Sequence, residues 1–175
     1  IFGKEPINNF ESEEGSFLFQ SAQLLSIPIR SNTQPFFYVT CPAVITDLIN
    51  TIDFFNAANL DKLKSDLLPL AKSIDKIYCS SKVDPGTYLE NTEFVVEPTP
   101  NTNLNNSSIK TLIAGGNDFI IAPDNVFNAL VDDEHLPIIT RNKLDNGESK
   151  NLWIEQFVPR ESRFLAKIMV PFTEN

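Results

Sequence analysis

Residues 136–170, LPIITRNKLDNGESKNLWIEQFVPRESRFLAKIMV, restrict the fold more than any other stretch. Asp145-Asn146-Gly147 is a turn signal, because Asn and Gly tolerate positive φ and the Asp carboxylate can accept from the backbone ahead of it. Apolar arms, residues 138–140 and 163–170, flank a polar tip at 142–151. In the second arm Phe164, Ala166, Ile168 and Val170 alternate with Leu165, Lys167 and Met169, which is the strand period of two. The single Trp, Trp153, lies between turn and second arm. The whole stretch reads as a long β-hairpin with a decorated tip. Long loops that carry polar and aromatic side chains tend to serve function.

Charge sharpens this reading. The chain carries −9 overall, which argues against a generic nucleic-acid binder. Residues 136–170 hold six basic side chains (Arg141, Lys143, Lys150, Arg160, Arg163, Lys167) against four acidic ones (Asp145, Glu148, Glu155, Glu161). The hairpin is therefore +2 and the remainder −11. No run approaches the ~18 consecutive apolar residues of a membrane span. The start, Ile1-Phe2-Gly3-Lys4-Glu5, has no basic-then-apolar leader pattern and reads as the middle of a domain. Cys41 and Cys79 lie far apart with no CxxC, so they suggest neither a metal site nor a disulfide framework, and Cys41, after a strand-like run and before Pro42, reads as a buried free thiol in a reducing, cytoplasmic setting.

Along the chain, residues 16–30 read as one or two strands and 35–41 as a short buried strand. Pro42 then opens a helix, since Pro is tolerated at the first helical position. Leu60, Leu63, Leu67, Leu68 and Leu70 form the apolar set of a second helix. Residues 74–80 and 93–97 read as strands, and 98–108, PTPNTNLNNSS, as a mobile loop. Residues 109–114 are ambiguous. Phe119-Ile120-Ile121-Ala122 is a buried strand, and Asp124 reads as the N-cap of a helix over 126–131. Strands and helices alternate twice, so the class is α+β, with residues 1–175 one domain.

Several candidate sites have ordinary explanations. Gly115-Gly116 precedes a strand, whereas a phosphate loop feeds a helix N-terminus, so a turn is expected. Asp132, Asp133, Glu134 and His135 imitate a metal cluster, but four consecutive side chains at a helix end do not converge on one ion. No metal site is expected there, although a hydrolase built on this cluster is a third reading. Trp153 and Phe157, four apart, can stack on single-stranded bases or pack on the body.

Three segments in order bring out a family. Phe2-Gly3 with GSFLFQSAQLLSIPIRS (15–31), then YVTCP (38–42), then NLWIEQFVPRE (151–161) resemble the Cmr-module RAMP backbone subunit of type III-B CRISPR effector complexes. Ser21 stands where that family commonly has Asp. Residues 51–90 and 98–108 carry no resemblance. The resemblance implies a modified ferredoxin-like, RRM-type core with a protruding β-hairpin thumb, incomplete at both ends. It implies copies stacked with other Cmr subunits along a guide RNA, and target RNA cut at regular intervals with Mg²⁺ or another divalent cation in antiviral defence. It places the catalytic aspartate upstream of Phe2-Gly3, so whether this chain is an enzyme stays open and the polypeptide alone is expected to be inactive. Glu155 matches a functional glutamate of the family and Phe157 an aromatic beside it. The candidate RNA-binding residues are Arg141, Lys143, Lys150, Trp153, Phe157, Arg160 and Arg163. The alternative is a non-catalytic module that docks on a neighbouring protein through 136–170.

Overall fold

Helix α1, Pro42–Phe54, shows how the fold is assembled in the computed structural model, which describes residues 15–55, 60–91, 93–98, 102–132 and 136–170. Pro42 sits at its first position, and Ile45, Leu48, Ile49 and Ile52 are buried along one face. Its N-terminus is capped from a distance. Asp124 Oδ1 accepts from the Ala43 N–H at 2.9 Å. Asp124 was expected to cap its own helix, but it is the first residue of α4, Asp124–Val131, whose N-cap is Pro123. A carboxylate at a helix start satisfies an unpaired N–H and meets the positive end of the helix dipole. Here it does both for a neighbouring helix.

The chain divides into two compact units, Leu25–Arg163 and Ile1–Leu24 with Phe164–Asn175. In the smaller unit, β1 (Leu18–Phe19) pairs antiparallel with β11 (Ile168–Met169). In the larger unit the sheet runs β2 (Gln23–Ile29), β3 (Phe37–Thr40), β7 (Phe119–Ile121), β4 (Ile77–Cys79), β6 (Phe94–Pro98), β5 (Tyr88–Leu89). The sheet is mixed. β3 lies parallel to β7 and β4 parallel to β6, while β2–β3, β7–β4 and β5–β6 are antiparallel. Val39, Cys79, Phe119 and Ile120 are fully buried in its middle. Four α-helices appear among the described residues: α1, α2 (Asp61–Leu67, continued by a 3₁₀ turn Leu68–Ala71), α3 (Ser107–Ala114) and α4.

Helix α3 corrects two expectations. The loop expected over 98–108 holds a 3₁₀ turn, Thr102–Asn105, and the helix start, and residues 109–114 are helical. Asn106 Oδ1 accepts from Ser108 N–H at 2.9 Å and Ile109 N–H at 3.4 Å, an N-cap. Gly115 takes φ +62 at the far end, and Gly115 and Gly116 N–H donate to Thr111 and Lys110 carbonyls. The glycine pair is a left-handed helix terminator, which L side chains rarely adopt. Buried Ser26 donates to the Ile113 carbonyl and ties β2 to α3.

The hairpin also differs in its second arm. Strand β8, Ile138–Asp145, pairs with β9, Glu148–Gln156. Residues 163–170, the expected partner, instead supply β10 (Arg163–Leu165) and β11. The turn is as expected: Asn146 and Gly147 have φ +51 and +85, matching the positive φ at both central residues of a two-residue I′ hairpin loop. Cys41 and Cys79 are buried free thiols, and burial pushes Cys41 up to about 11. No helix among the described residues is long and apolar enough to cross a membrane.

Candidate nucleic-acid interface

The β8–β9 ribbon has two chemically distinct faces. Strand register puts Arg141 opposite Trp153 and Ile139 opposite Glu155, with Lys143 opposite Asn151. Because side chains alternate along a strand, these six share one face. The other face carries Ile138, Leu144, Leu152 and Ile154, each 59–67% exposed. Ser149 Oγ donates to Asn142 Oδ1 on that same side at 2.7 Å, next to a register shift between Lys143 and Leu144. One ribbon thus presents a cationic and aromatic face and an aliphatic one.

On the polar face three candidate residues form a single cluster. Glu155 Oε1 accepts from Trp153 Nε1–H at 2.8 Å, and Glu155 Oε2 lies 2.5 Å from Arg141 Nε. The Trp153 hydrogen bond, then the Arg141 charge, hold the Glu155 carboxyl below the ordinary range despite an opposing desolvation effect. A carboxylate pushed in that direction is a poor proton shuttle at neutral pH, because general bases work best with values near the operating pH. Its role in this geometry is to anchor the indole and the guanidinium. Trp153 is 37% exposed, so part of its ring remains accessible for stacking.

The remaining candidates separate. Lys150 pairs with Glu148 at 3.0 Å near the turn. Among the described residues Lys143 and Arg160 have no ion-pair partner, so both cations are available to an anion. Phe157, 36% exposed, lies just past β9, where its N–H donates to the Pro137 carbonyl. Arg163 does something else. Its Nε and Nη2 donate to the Leu112 and Thr111 carbonyls at 2.9 and 3.2 Å, at the C-terminus of α3. A guanidinium there satisfies orphan carbonyls and meets the negative end of the helix dipole. Glu161, at φ +70, accepts from Tyr38 Oη at 3.4 Å. Burial first, then Glu161, raise the Tyr38 phenol. Sequence reasoning missed the roles of Tyr38, Glu161 and Arg163 because each joins residues more than 50 positions apart.

A divalent cation does not fit this cluster. Its one carboxylate already faces Arg141, and no group of three or more His, Cys, Asp or Glu that could hold an ion occurs among the described residues. Of the acidic run at 132–135, residues 133–135 lie outside the described residues.

No protein-family model matches the chain, and no curated protein matches it. Solved structures do. The fold is similar to that of a chain of the type III-B Cmr-beta complex in its apo state, with TM-score 0.70 and 19% identity over 95% of this chain. The same complex bound to cognate target RNA gives 0.67 and 19% over 97%. Oligomeric Cmr4 from Pyrococcus furiosus gives 0.64 and 21% over 92%. The chain spans 61%, 61% and 59% of those chains. At this identity the likeness establishes a fold shared with these Cmr-beta and Cmr4 chains.

Proposed function

We propose that the chain is a guide-RNA-binding backbone subunit of a type III-B CRISPR effector, with the β8–β9 hairpin as its thumb. The observation that carries this is the fold likeness to Cmr chains over 92–97% of the sequence. The sheet order supports a modified ferredoxin-like core: β3 and β7 are parallel neighbours, β4 lies antiparallel beyond β7, and β2 antiparallel beyond β3. In this reading Lys143, Arg160 and Arg141 meet phosphates, and Trp153 stacks on a base while Glu155 holds its ring. Copies of the chain and other Cmr subunits are the protein partners, and guide and target RNA the nucleic acids, in antiviral defence. Cleavage of target RNA, and the divalent ion it needs, belong to the assembly. The polypeptide alone binds RNA without cutting it.

A gel-shift titration with single-stranded RNA across a salt series tests this. The expected result is a shift whose affinity falls steeply with salt, as counterion release requires. No shift at any salt overturns it. RNA cleavage by the polypeptide that survives Glu155→Ala and chelation overturns the expected division of labour. A second reading, docking on a neighbouring protein, is favoured by one observation, the four exposed aliphatic side chains on the opposite hairpin face. It predicts no shift with RNA and loss of partner binding in Leu152→Ser.

A further inference from the structure

A pocket of about 330 Å³ lies where the chain enters β3 and β7. Those strands are parallel, so residues just before each come to the same end of the sheet. The lining is Gln34, Pro35, Phe36, Tyr38, Asn117 and Asp118. Small-ligand pockets start near ~300 Å³, so this one suits a single base.

The rim offers three side-chain acceptors, and one of the two N–H groups of each amide is already engaged. Gln34 Nε2 already donates to the Phe36 carbonyl at 2.8 Å, and Asn117 Nδ2 to the Ala114 carbonyl at 3.0 Å. Their side-chain carbonyl oxygens stay available as acceptors. Asp118 accepts from Lys110 Nζ at 2.5 Å, from Ser80 Oγ at 3.4 Å and from the Ser81 side chain, and its side chain is 42% exposed. A carboxylate accepts about four hydrogen bonds, so it retains capacity toward the pocket. The walls are flat and apolar, with Phe36 and Tyr38 packed edge to face at 5.4 Å between ring centroids. A ligand here presents hydrogen-bond donors along the edge of a planar body.

We infer that this pocket binds a guanine base, with Asp118, Asn117 and Gln34 accepting from its N1–H and N2–H₂ edge and Phe36 and Pro35 against its ring. Adenine and cytosine each place an acceptor beside their exocyclic amine, which would face these oxygens with no proton between. An arginine side chain also offers a planar donor edge, but it would bring a second cation beside Lys110, whose ammonium already balances Asp118. A neutral donor edge fits better. The inference rests on the RNA-binding reading for its biological source of guanine, while the pocket chemistry stands on its own.

Calorimetric titration of the full chain with guanosine, inosine and adenosine monophosphates and with ethylguanidinium separates the cases. Guanosine monophosphate is expected to bind at least about tenfold tighter than either other nucleotide, because each loses a donor to the Asp118 carboxylate or to an amide oxygen beside it. Asp118→Asn also removes the Lys110 ion pair, so exposed Gln34→Leu, together with Phe36→Leu, carries the mutational test. Both are expected to weaken guanosine monophosphate binding about tenfold or more, with Tm checked to show an intact fold. Equal binding of the three nucleotides, or binding of ethylguanidinium alone, overturns the inference. An oligouridine with and without one central guanine distinguishes the two proposals. RNA binding without a guanine preference removes the pocket and keeps the RNA reading, whereas selective nucleotide binding with no RNA shift does the reverse.

Discussion

Two strand pairs teach opposite lessons. β3 and β7 are four and three residues long, parallel, and buried on both faces, with Val39, Thr40, Phe119 and Ile120 at 0% exposure. β8 and β9 are eight and nine residues long, antiparallel, and exposed along almost their whole length. The first pair owes its existence to the core. The second is set by an Asn-Gly turn and cross-strand pairs, contributions of a few tenths to ~1 kcal/mol each. Leaving four aliphatic side chains in water brings the isolated chain no burial energy. The hairpin's composition therefore does not answer to the core, while the sheet's does.

The largest expected effects break or confirm this contrast directly. Phe119→Ala in the body is expected to lose about 3–5 kcal/mol in urea unfolding, the usual cost of emptying a fully buried aromatic site. Trp153→Ala is expected to leave the urea midpoint nearly unchanged. It is expected to weaken single-stranded RNA binding by ~1–3 kcal/mol, the range for a lost base–aromatic stack. Substantial unfolding by Trp153→Ala would show that the ring supports the body, and the contrast would fail.

The same contrast explains what could be read in advance. Pro42, the Phe37–Thr40 strand and the Asn146-Gly147 turn act locally, so their signals lie within a few residues. The order of three motifs also anticipated the Cmr fold. Helix α3 was readable in principle: Asn106 and Gly115 bracket eight residues as N-cap and C-terminal glycine. The surrounding Asn- and Thr-rich text masked it. The second hairpin arm was misplaced because 163–170 alternates more cleanly than ESKNLWIEQ. A strand exposed on both faces is under no pressure to alternate. Nothing near Asp124 in sequence reveals that it caps α1, whose Ala43 N–H lies 81 positions away. Of the candidate site, Arg141, Trp153 and Glu155 do converge. Arg163 does not join them, because it donates to the Leu112 and Thr111 carbonyls at the end of α3, 51 and 52 positions away in sequence.

Smaller effects sharpen the account of the body. Asp124→Ala is expected to destabilise by ~1 kcal/mol, the typical loss when a capping side chain is removed. Asp124→Asn, which keeps an acceptor, should recover most of it in the same unfolding assay. Asp118 gives a pH dependence. Burial alone would raise its carboxyl, but hydrogen bonds from Lys110, Ser81 and Ser80 and the Lys110 charge together hold it below the ordinary value. A depressed folded-state value contributes stability that is complete above the unfolded carboxylate range and is lost as pH falls through the folded value. Thermal melts of Asp118→Asn and the parent should therefore differ at neutral pH and converge under acid. A constant difference down to pH 2 would assign the effect to packing.

The smallest expected stability change belongs to the most conspicuous cluster. In Glu155→Gln the amide can still accept from Trp153 Nε1–H but no longer pairs as an ion with Arg141. Both side chains of that pair are about half exposed, at 56% and 44%. Exposed pairs of this kind gain little, since water screens the attraction and two side chains lose freedom. The Tm is expected to stay within about 1 °C of the parent. RNA affinity is expected to rise roughly twofold at low salt, because Arg141 is released and the ribbon gains one positive charge. If Tm instead falls by several degrees, the Trp153–Glu155–Arg141 cluster is what holds the ribbon. The two strand pairs would then differ in where their stability comes from, and not in whether they have it.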